Sequence, residues 1–185
     1  MLEGFGMFNK ILVAIDNSAI SRHVFAEALS LAKANNAQLM LLHVLSGEQE
    51  GGSSLPIFPT MGYYPGISDR TLELYRQQWQ TLEKQGLELL RSFTAQANTA
   101  GVITEFSQTA GSPGRTICEA ASGWNANLIV IGRRGLSGLS ELFLGSVSNY
   151  VLHHAPCSVL TVQGLAKDNQ EAIAKVQSSS SHLSM

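Results

Sequence analysis

Charge is the scarcest feature of this 185-residue chain, since Asp, Glu, Lys and Arg together make up only 14% of it, against a typical ~25%. The formal net charge is −2, so no basic field attracts nucleic acid. No apolar run approaches the roughly 20 residues that span a membrane, and the first residues lack the pattern of a signal peptide. We therefore expect no nucleic-acid or membrane partner. A surface this poor in charge favours partial burial in an oligomer.

Cysteine is nearly absent as well. Cys118 and Cys157 are far apart in the sequence and lie in core-like surroundings, which predicts buried free thiols; a disulfide or redox pair is the alternative. Free thiols make the cytoplasm the expected compartment. The length fits a single domain, residues 1–185, with a core at about 8–163.

Short apolar runs alternate with amphipathic segments along the chain. Such alternation predicts an α/β protein with a parallel sheet and helices on both faces, because each right-handed crossover returns the chain to the same sheet. His43 falls inside the second apolar run and is interpreted as a core histidine with its hydrogen bonds satisfied. The predicted strands are Lys10–Ile15, Gln38–Leu45, Val102–Gln108, Leu128–Ile131 and Ser158–Val162, and the predicted helices begin near Asn17–Ser18, Asp69, Ser112–Pro113 and Ser146.

The segment 46–68 interrupts this rhythm. It is rich in glycine and proline and carries Phe58, Tyr63 and Tyr64, which predicts a long mobile loop. The aromatic side chains indicate a lid or an interface patch, or are incidental to a disordered insertion. The tail 164–185 ends in a serine-rich stretch and is expected to fray.

A glycine-rich stretch follows the fourth predicted strand. Gly132, Gly135 and Gly145 have no Cβ to keep backbone amides from phosphate, and the helix that begins at Ser146 turns its positive end toward that phosphate. The same glycines also suit plain turns and helix caps. The candidate phosphate ligands are Gly132, Arg133, Arg134, Gly135, Gly145, Ser146, Val147 and Ser148.

The ends of the first two strands supply the rest of the predicted site. In an open parallel sheet, ligands bind beyond the carboxyl ends of the strands, so Ala14, Ile15, Asp16 and Val44 are expected to meet Gly132 there. Asp16 is placed to accept hydrogen bonds from ribose hydroxyls or an adenine amino group, or to help hold a metal. It also suits a helix cap, and these roles are compatible.

Several motifs of rival functions are missing. The chain has no G-x-x-x-x-G-K-[ST] phosphate loop, no G-x-G-x-x-G after the first strand and no Ser-Gly-Gly run there. His153 and His154 are consecutive, so they point to different helix faces and do not form a simple metal site. No Ser/His/Asp or metal-ligand spacing is visible, and no general base is evident. The pattern favours binding over catalysis.

Five segments of the chain form a combined pattern. They are KILVAIDNS at 10–18, LLHV at 41–44, GSPGRTICEAA from Gly111, the G-x2-G-x9-G-[ST] signature at Gly132, Gly135, Gly145 and Ser146, and HHAPCSVLTV at 153–162. Together they resemble the universal stress protein family. They span most of Lys10–Val162 and leave out the segment 46–68 and both termini. The long loop between the second strand and the second helix departs from the plainest family members.

The resemblance implies an open five-stranded, Rossmann-like sheet in the order 3-2-1-4-5, with homodimers paired through the last strand, 158–162. It also implies that ATP is bound, together with a divalent ion such as Mg²⁺ or Mn²⁺. Asp16 and Val44 would then contact the adenosine part, and the phosphates would be held by Gly132, Gly135, Gly145, Ser146 and Val147.

The function expected from this resemblance is that of an ATP-binding regulatory protein, a nucleotide-responsive switch in stress adaptation. Two alternatives stay open. One is a slow ATP hydrolase or nucleotidyl-transfer enzyme, which Asp16 and the serine hydroxyls favour weakly. The other is a scaffold that binds an unknown protein partner and keeps a vestigial nucleotide pocket.

Overall fold

The structure, a computed structural model, describes residues 7–46, 69–133 and 144–163. The predicted loop beyond Ser46, the tail 164–185, Arg134 and Gly135 lie outside these residues. Five strands alternate with four helices in the described part. They are β1 Lys10–Ile15, α1 Ser21–Asn35, β2 Gln38–Leu45, α2 Asp69–Thr99, β3 Thr104–Ala110, α3 Pro113–Trp124, β4 Leu128–Arg133, α4 Ser146–His154 and β5 Ser158–Gln163.

All neighbouring strands pair in parallel, in the order β3-β2-β1-β4-β5, which confirms the predicted sheet. Its two faces bury separate apolar clusters. On one face, Ile11 and Val13 of β1 pack with α1 and α2, while on the other, Leu12 packs with α3 and α4. Successive strand residues point to opposite faces, so both faces are apolar and helices cover each of them, as predicted. No helix in the described ranges has the length and apolarity that a bilayer crossing requires.

Two helices end at asparagines in the left-handed conformation. Asn36 after α1 and Asn125 after α3 have φ of 52° and 57°, and the amide that follows each one bonds back to the helix, as Ala37 N does to Ala32 O at 2.9 Å. Asparagine tolerates this backbone region better than other residues with a side chain. These two asparagines therefore end α1 and α3.

The predicted start of α1 is wrong by a few residues. The N-cap of α1 is Ile20, not Asn17 or Ser18, because the Ser18 hydroxyl donates to the Asp16 carboxylate instead. The predicted start of α3 is confirmed, since Ser112 is its N-cap and Pro113 lies in its first turn, although the Ser112 side chain makes no capping hydrogen bond.

Strand bounds also shift. β3 begins at Thr104 instead of Val102, because the Val102 amide closes the end of α2 by donating to Ala97 O at 3.0 Å, after Gly101 at φ 80°. β4 does not end at Ile131 but continues through Gly132 to Arg133, which pair with Val162 and Gln163 of β5. Gly132 is thus a strand residue, and it does not form the plain turn that a glycine at this position also suits.

The amino edge of the sheet is closed by the end of α3. Lys10 at the start of β1 donates through Nζ to the Trp124 carbonyl at 3.2 Å and lies 5.0 Å from the centroid of the indole ring. The Trp124 indole N–H donates in turn to Glu105 of β3. The open end of the sheet among the described residues is therefore the carboxyl edge.

Candidate functional site

A cavity of about 170 Å³ opens at the carboxyl edge of the sheet. A single ordered water needs on the order of 15 Å³ by a comparable measure, so this space is suited to an organic ligand. Its walls include nine of the predicted site residues, namely Ala14, Ile15, Asp16, Val44, Gly132, Gly145, Ser146, Val147 and Ser148. Arg133 ends β4 and is not among the described residues that line the cavity.

The sequence interpretation missed other lining residues. Most of them are apolar side chains that α1, α3 and the strands direct toward the cavity. In the sequence these residues look like core residues, so the pattern does not show that they line a cavity. Ser21 and Ser46 carry polar groups, but single serines give no sequence signal. The missed residues are Ile20, Ser21, Val24, Leu42, Ser46, Pro113, Ile117 and Ile131.

Asp16 lies just after β1 and is held by its own turn. Its Oδ1 accepts hydrogen bonds from the Ser18 amide at 3.0 Å, from the Ser18 hydroxyl, and from the buried Ser21 hydroxyl at 2.7 Å. The Asp16 amide donates back to Ser21 Oγ at 3.0 Å. Three donors on one oxygen fix the orientation of the carboxylate at the cavity wall.

The beginning of α4 forms the polar end of the cavity. Gly145 is its N-cap, with extended φ and ψ of −61° and 154°. The first hydrogen bond of the helix runs from the Asn149 amide to the Gly145 carbonyl at 2.9 Å. The amides of Ser146, Val147 and Ser148 therefore have no acceptor inside the helix. Together with the helix dipole, they make this end of the cavity suited to an anion.

The two serines of this turn differ in role. Ser146 is exposed, whereas Ser148 is buried and its hydroxyl donates to the Gly132 carbonyl at 3.0 Å. Since a hydroxyl has one proton to donate, Ser148 ties α4 to β4 and offers a ligand chiefly its backbone amide.

Gly132 also has a packing role. A Cβ at this position would lie 3.0 Å from Val24 Cγ2 and 3.2 Å from Ile20 Cγ2. The missing side chain thus lets α1 approach the end of β4, and with it the turn that holds Asp16.

His43 departs from the prediction. It is completely buried in β2, as expected, but neither ring nitrogen has a hydrogen-bond partner among the described residues. Its neighbour on β3, Gln108, directs its amide N–H₂ to the Glu83 carbonyl of α2 at 3.1 Å. Burial lowers the pKa of His43, and the negative charge of Asp16 opposes that shift in part.

The cysteines are free, as predicted, although each is half-buried instead of fully buried. Burial raises the pKa of both thiols; the charge of Glu119 adds to this at Cys118, and the neighbouring Cys118 adds to it at Cys157. Within ranges 7–46, 69–133 and 144–163, no three His, Cys, Asp or Glu side chains come together as a metal site. The described side chains thus do not form a metal site by themselves.

Comparisons with known proteins agree with the fold. A family model described as the universal stress protein family matches residues 7–163. Among curated proteins, universal stress protein Sll1388 of Synechocystis sp. is 37% identical over 156 residues, covering 84% of this chain and 98% of its own length.

Solved structures share the architecture. A universal stress protein of Arabidopsis thaliana with AMP bound has a TM-score of 0.58 at 24% identity, covering 86% of this chain and 94% of its own. A universal stress protein in complex with cAMP has a TM-score of 0.55 at 23% identity, with coverages of 84% and 97%. One from Archaeoglobus fulgidus in complex with dAMP has a TM-score of 0.53 at 20% identity, with coverages of 84% and 98%.

Proposed function

This chain belongs to the universal stress protein family, and from that premise we propose that it binds an adenine nucleotide, ATP in the first place, at the carboxyl edge of its sheet. The observation that carries the proposal is a cavity that joins an apolar wall to the amides at the beginning of α4, which have no acceptor within the helix. Adenine suits the apolar wall and phosphate suits the amides. The AMP, cAMP and dAMP complexes of structurally similar proteins support this choice of ligand.

The order of the strands supports one orientation of the nucleotide in the cavity. The side chain of Val44 on β2 would face the base, Asp16 after β1 would face the ribose, and the amides of Ser146 and Val147 on α4 would face the phosphates. Arg133, Arg134 and Gly135 remain predicted phosphate ligands.

We propose binding without hydrolysis. Asp16 is the carboxylate that favours the hydrolase alternative, but its Oδ1 already accepts three hydrogen bonds, which suits an orienting group better than a general base. Because the described side chains form no metal site, Mg²⁺ or Mn²⁺ would enter with the phosphates of ATP.

The protein would act as a nucleotide-responsive switch in stress adaptation, because a ligand that binds one of two states better shifts the population toward it. The assembly we propose is a cytoplasmic homodimer paired through β5, whose outer edge has no neighbouring strand among the described residues. The free thiols of Cys118 and Cys157 support a reducing compartment.

Calorimetric titration of nucleotide-free protein with ATP, AMP and adenosine, with and without Mg²⁺, tests the proposal. Gly145→Val is the informative variant, since the backbone angles of Gly145 suit any L residue while the new side chain lies beside the phosphate amides. We expect it to weaken ATP and AMP about 10- to 100-fold, the range for hydrogen bonds to charged groups, and to spare adenosine.

Gly123→Ala is the matched control. Gly123 lies near the end of α3 at the amino edge, and a Cβ there meets nothing within 4 Å, so this variant should bind like the wild type. Wild-type protein that gives no binding heat and no thermal shift with any of the three ligands would contradict the proposal.

A further inference from the structure

Ser46 combines burial, an unsatisfied hydroxyl and a place in the cavity wall. Only 9% of its surface is exposed, and its Oγ has no hydrogen-bond partner among the residues that the structure describes. Leaving a buried hydroxyl unpaired costs on the order of 1–3 kcal/mol. Such a group at the wall of a ligand cavity indicates that the ligand provides the missing partner.

The backbone holds Ser46 in place. It directly follows Leu45, the last residue of β2, whose carbonyl accepts from the Gly111 amide at 3.0 Å. Val44, two residues earlier, lines the same cavity. Side chains two positions apart in extended chain point to the same side, so the Ser46 hydroxyl continues the wall that Leu42 and Val44 begin.

The strand order fixes which part of a nucleotide Ser46 would meet. β1 lies between β2 and β4, and adjacent strands are about 4.8 Å apart, so the end of β2 is roughly 10 Å from the end of β4. The phosphate amides of α4 lie at the β4 side, and Asp16 lies between them and Ser46. Base, ribose and phosphate follow one another in the same order along a nucleotide.

We propose that the Ser46 hydroxyl hydrogen-bonds to the adenine ring of the bound nucleotide and contributes to base recognition. The inference rests on the proposed function, and it adds a polar contact to a base wall that is otherwise formed by Leu42, Val44 and Ile117. A hydroxyl both donates and accepts, so it can pair with a ring nitrogen or with the amino group of adenine.

The test compares the binding of ATP, AMP and ribose 5-phosphate to the wild type and to Ser46→Ala, with calorimetry for the nucleotides and competition for the sugar phosphate. We expect the variant to bind ATP and AMP about 5- to 10-fold more weakly, by the same factor for each, as suits one neutral hydrogen bond. Ribose 5-phosphate, which lacks the base, should bind both proteins equally. Ser122→Ala, an exposed serine on α3, is the matched control and should bind like the wild type.

Thermal unfolding without ligand separates recognition from a structural role. Because Ser46 Oγ has no hydrogen-bond partner among the described residues, Ser46→Ala should keep or raise the melting temperature, whereas a structural hydroxyl would lower it. The proposal is overturned if Ser46→Ala binds AMP within 2-fold of the wild type, if it weakens ribose 5-phosphate equally, or if it melts earlier. A wild type that binds none of the adenine nucleotides would overturn the proposed function and this inference together; the other outcomes concern Ser46 alone.

Discussion

Gly86 in α2 and Gly123 in α3 are both helical glycines, but a methyl group would meet very different surroundings at the two positions. A Cβ at Gly86 would lie 2.6 Å from Nδ1 of the buried His43 and 3.0 Å from Oε1 of Gln108, while at Gly123 it meets nothing within 4 Å. Gly86→Ala should therefore destabilise the protein by about 1–3 kcal/mol through overpacking, despite the helix propensity of alanine. Gly123→Ala should stabilise it by up to about 1 kcal/mol. Urea unfolding measures both, and equal effects of the two variants would be inconsistent with a tight contact at Gly86.

His43 predicts a pH dependence of stability. Its pKa is lowered in the folded protein, mainly by burial, from an ordinary value of 6.5. The unfolded chain then takes up a proton first as the pH falls below about 6.5, so stability is complete above that pH and declines toward the folded pKa. His43→Leu should flatten this part of the profile of unfolding free energy against pH, and the exposed His153→Gln should retain it. A profile that His43→Leu leaves unchanged would show that another group is responsible.

Residue identity predicted the buried position of His43 but not its unsatisfied nitrogens. A polar residue in an apolar run is buried because the strand that contains it is buried. Its hydrogen-bond partners, however, depend on where the neighbouring side chains point. Gln108 is the nearest example, because it lies beside His43 in register but donates to Glu83 on the helix. Ser46 escaped notice for the same reason, since only the cavity shows that its hydroxyl lies in a wall.

At the scale of elements, the contact of α4 with β4 positions the phosphate end of the cavity. The buried Ser148 hydroxyl donates to the Gly132 carbonyl at 3.0 Å. Ser148→Ala should cost about 1–2 kcal/mol of unfolding free energy and speed hydrogen exchange of the α4 amides more than that of the α3 amides. The exposed Ser122→Ala should change neither, and an α4 as well protected in Ser148→Ala as in the wild type would refute this role.

The existence and order of the elements were predictable, but several ends were not. Apolar runs such as Lys10–Ile15 and Gln38–Leu45 match the observed strands because a strand buried on both faces requires an apolar residue at nearly every position. The start of β3 was misplaced because the backbone amide of Val102 closes α2, and apolar patterning does not report backbone hydrogen bonds. The sheet order came from the family resemblance, since alternation alone does not fix it.

In the whole molecule, a charged residue introduced at one edge of the sheet should affect dimerisation differently from one introduced at the other edge. Leu160 on the β5 edge is 37% exposed, and Ile103 beside the β3 edge is 71% exposed. An open edge strand is prone to pair with another chain, and we propose pairing through β5. Light scattering at micromolar concentration should give a dimer for the wild type and for Ile103→Glu, and a monomer for Leu160→Glu. A monomeric wild type, or a dimer that persists in Leu160→Glu, would argue against β5 pairing.

Binding of an adenine nucleotide at the carboxyl edge of the sheet can be measured through the amide chemical shifts of the ¹⁵N-labelled protein during titration with ATP. We expect saturable shift changes at Asp16, Val44 and the first turn of α4, Ser146–Ser148. The chemical shifts of amides at the amino edge, such as those of Lys10 and Trp124, should not change. The absence of saturable changes, or changes centred on the amino edge, would contradict binding at this site.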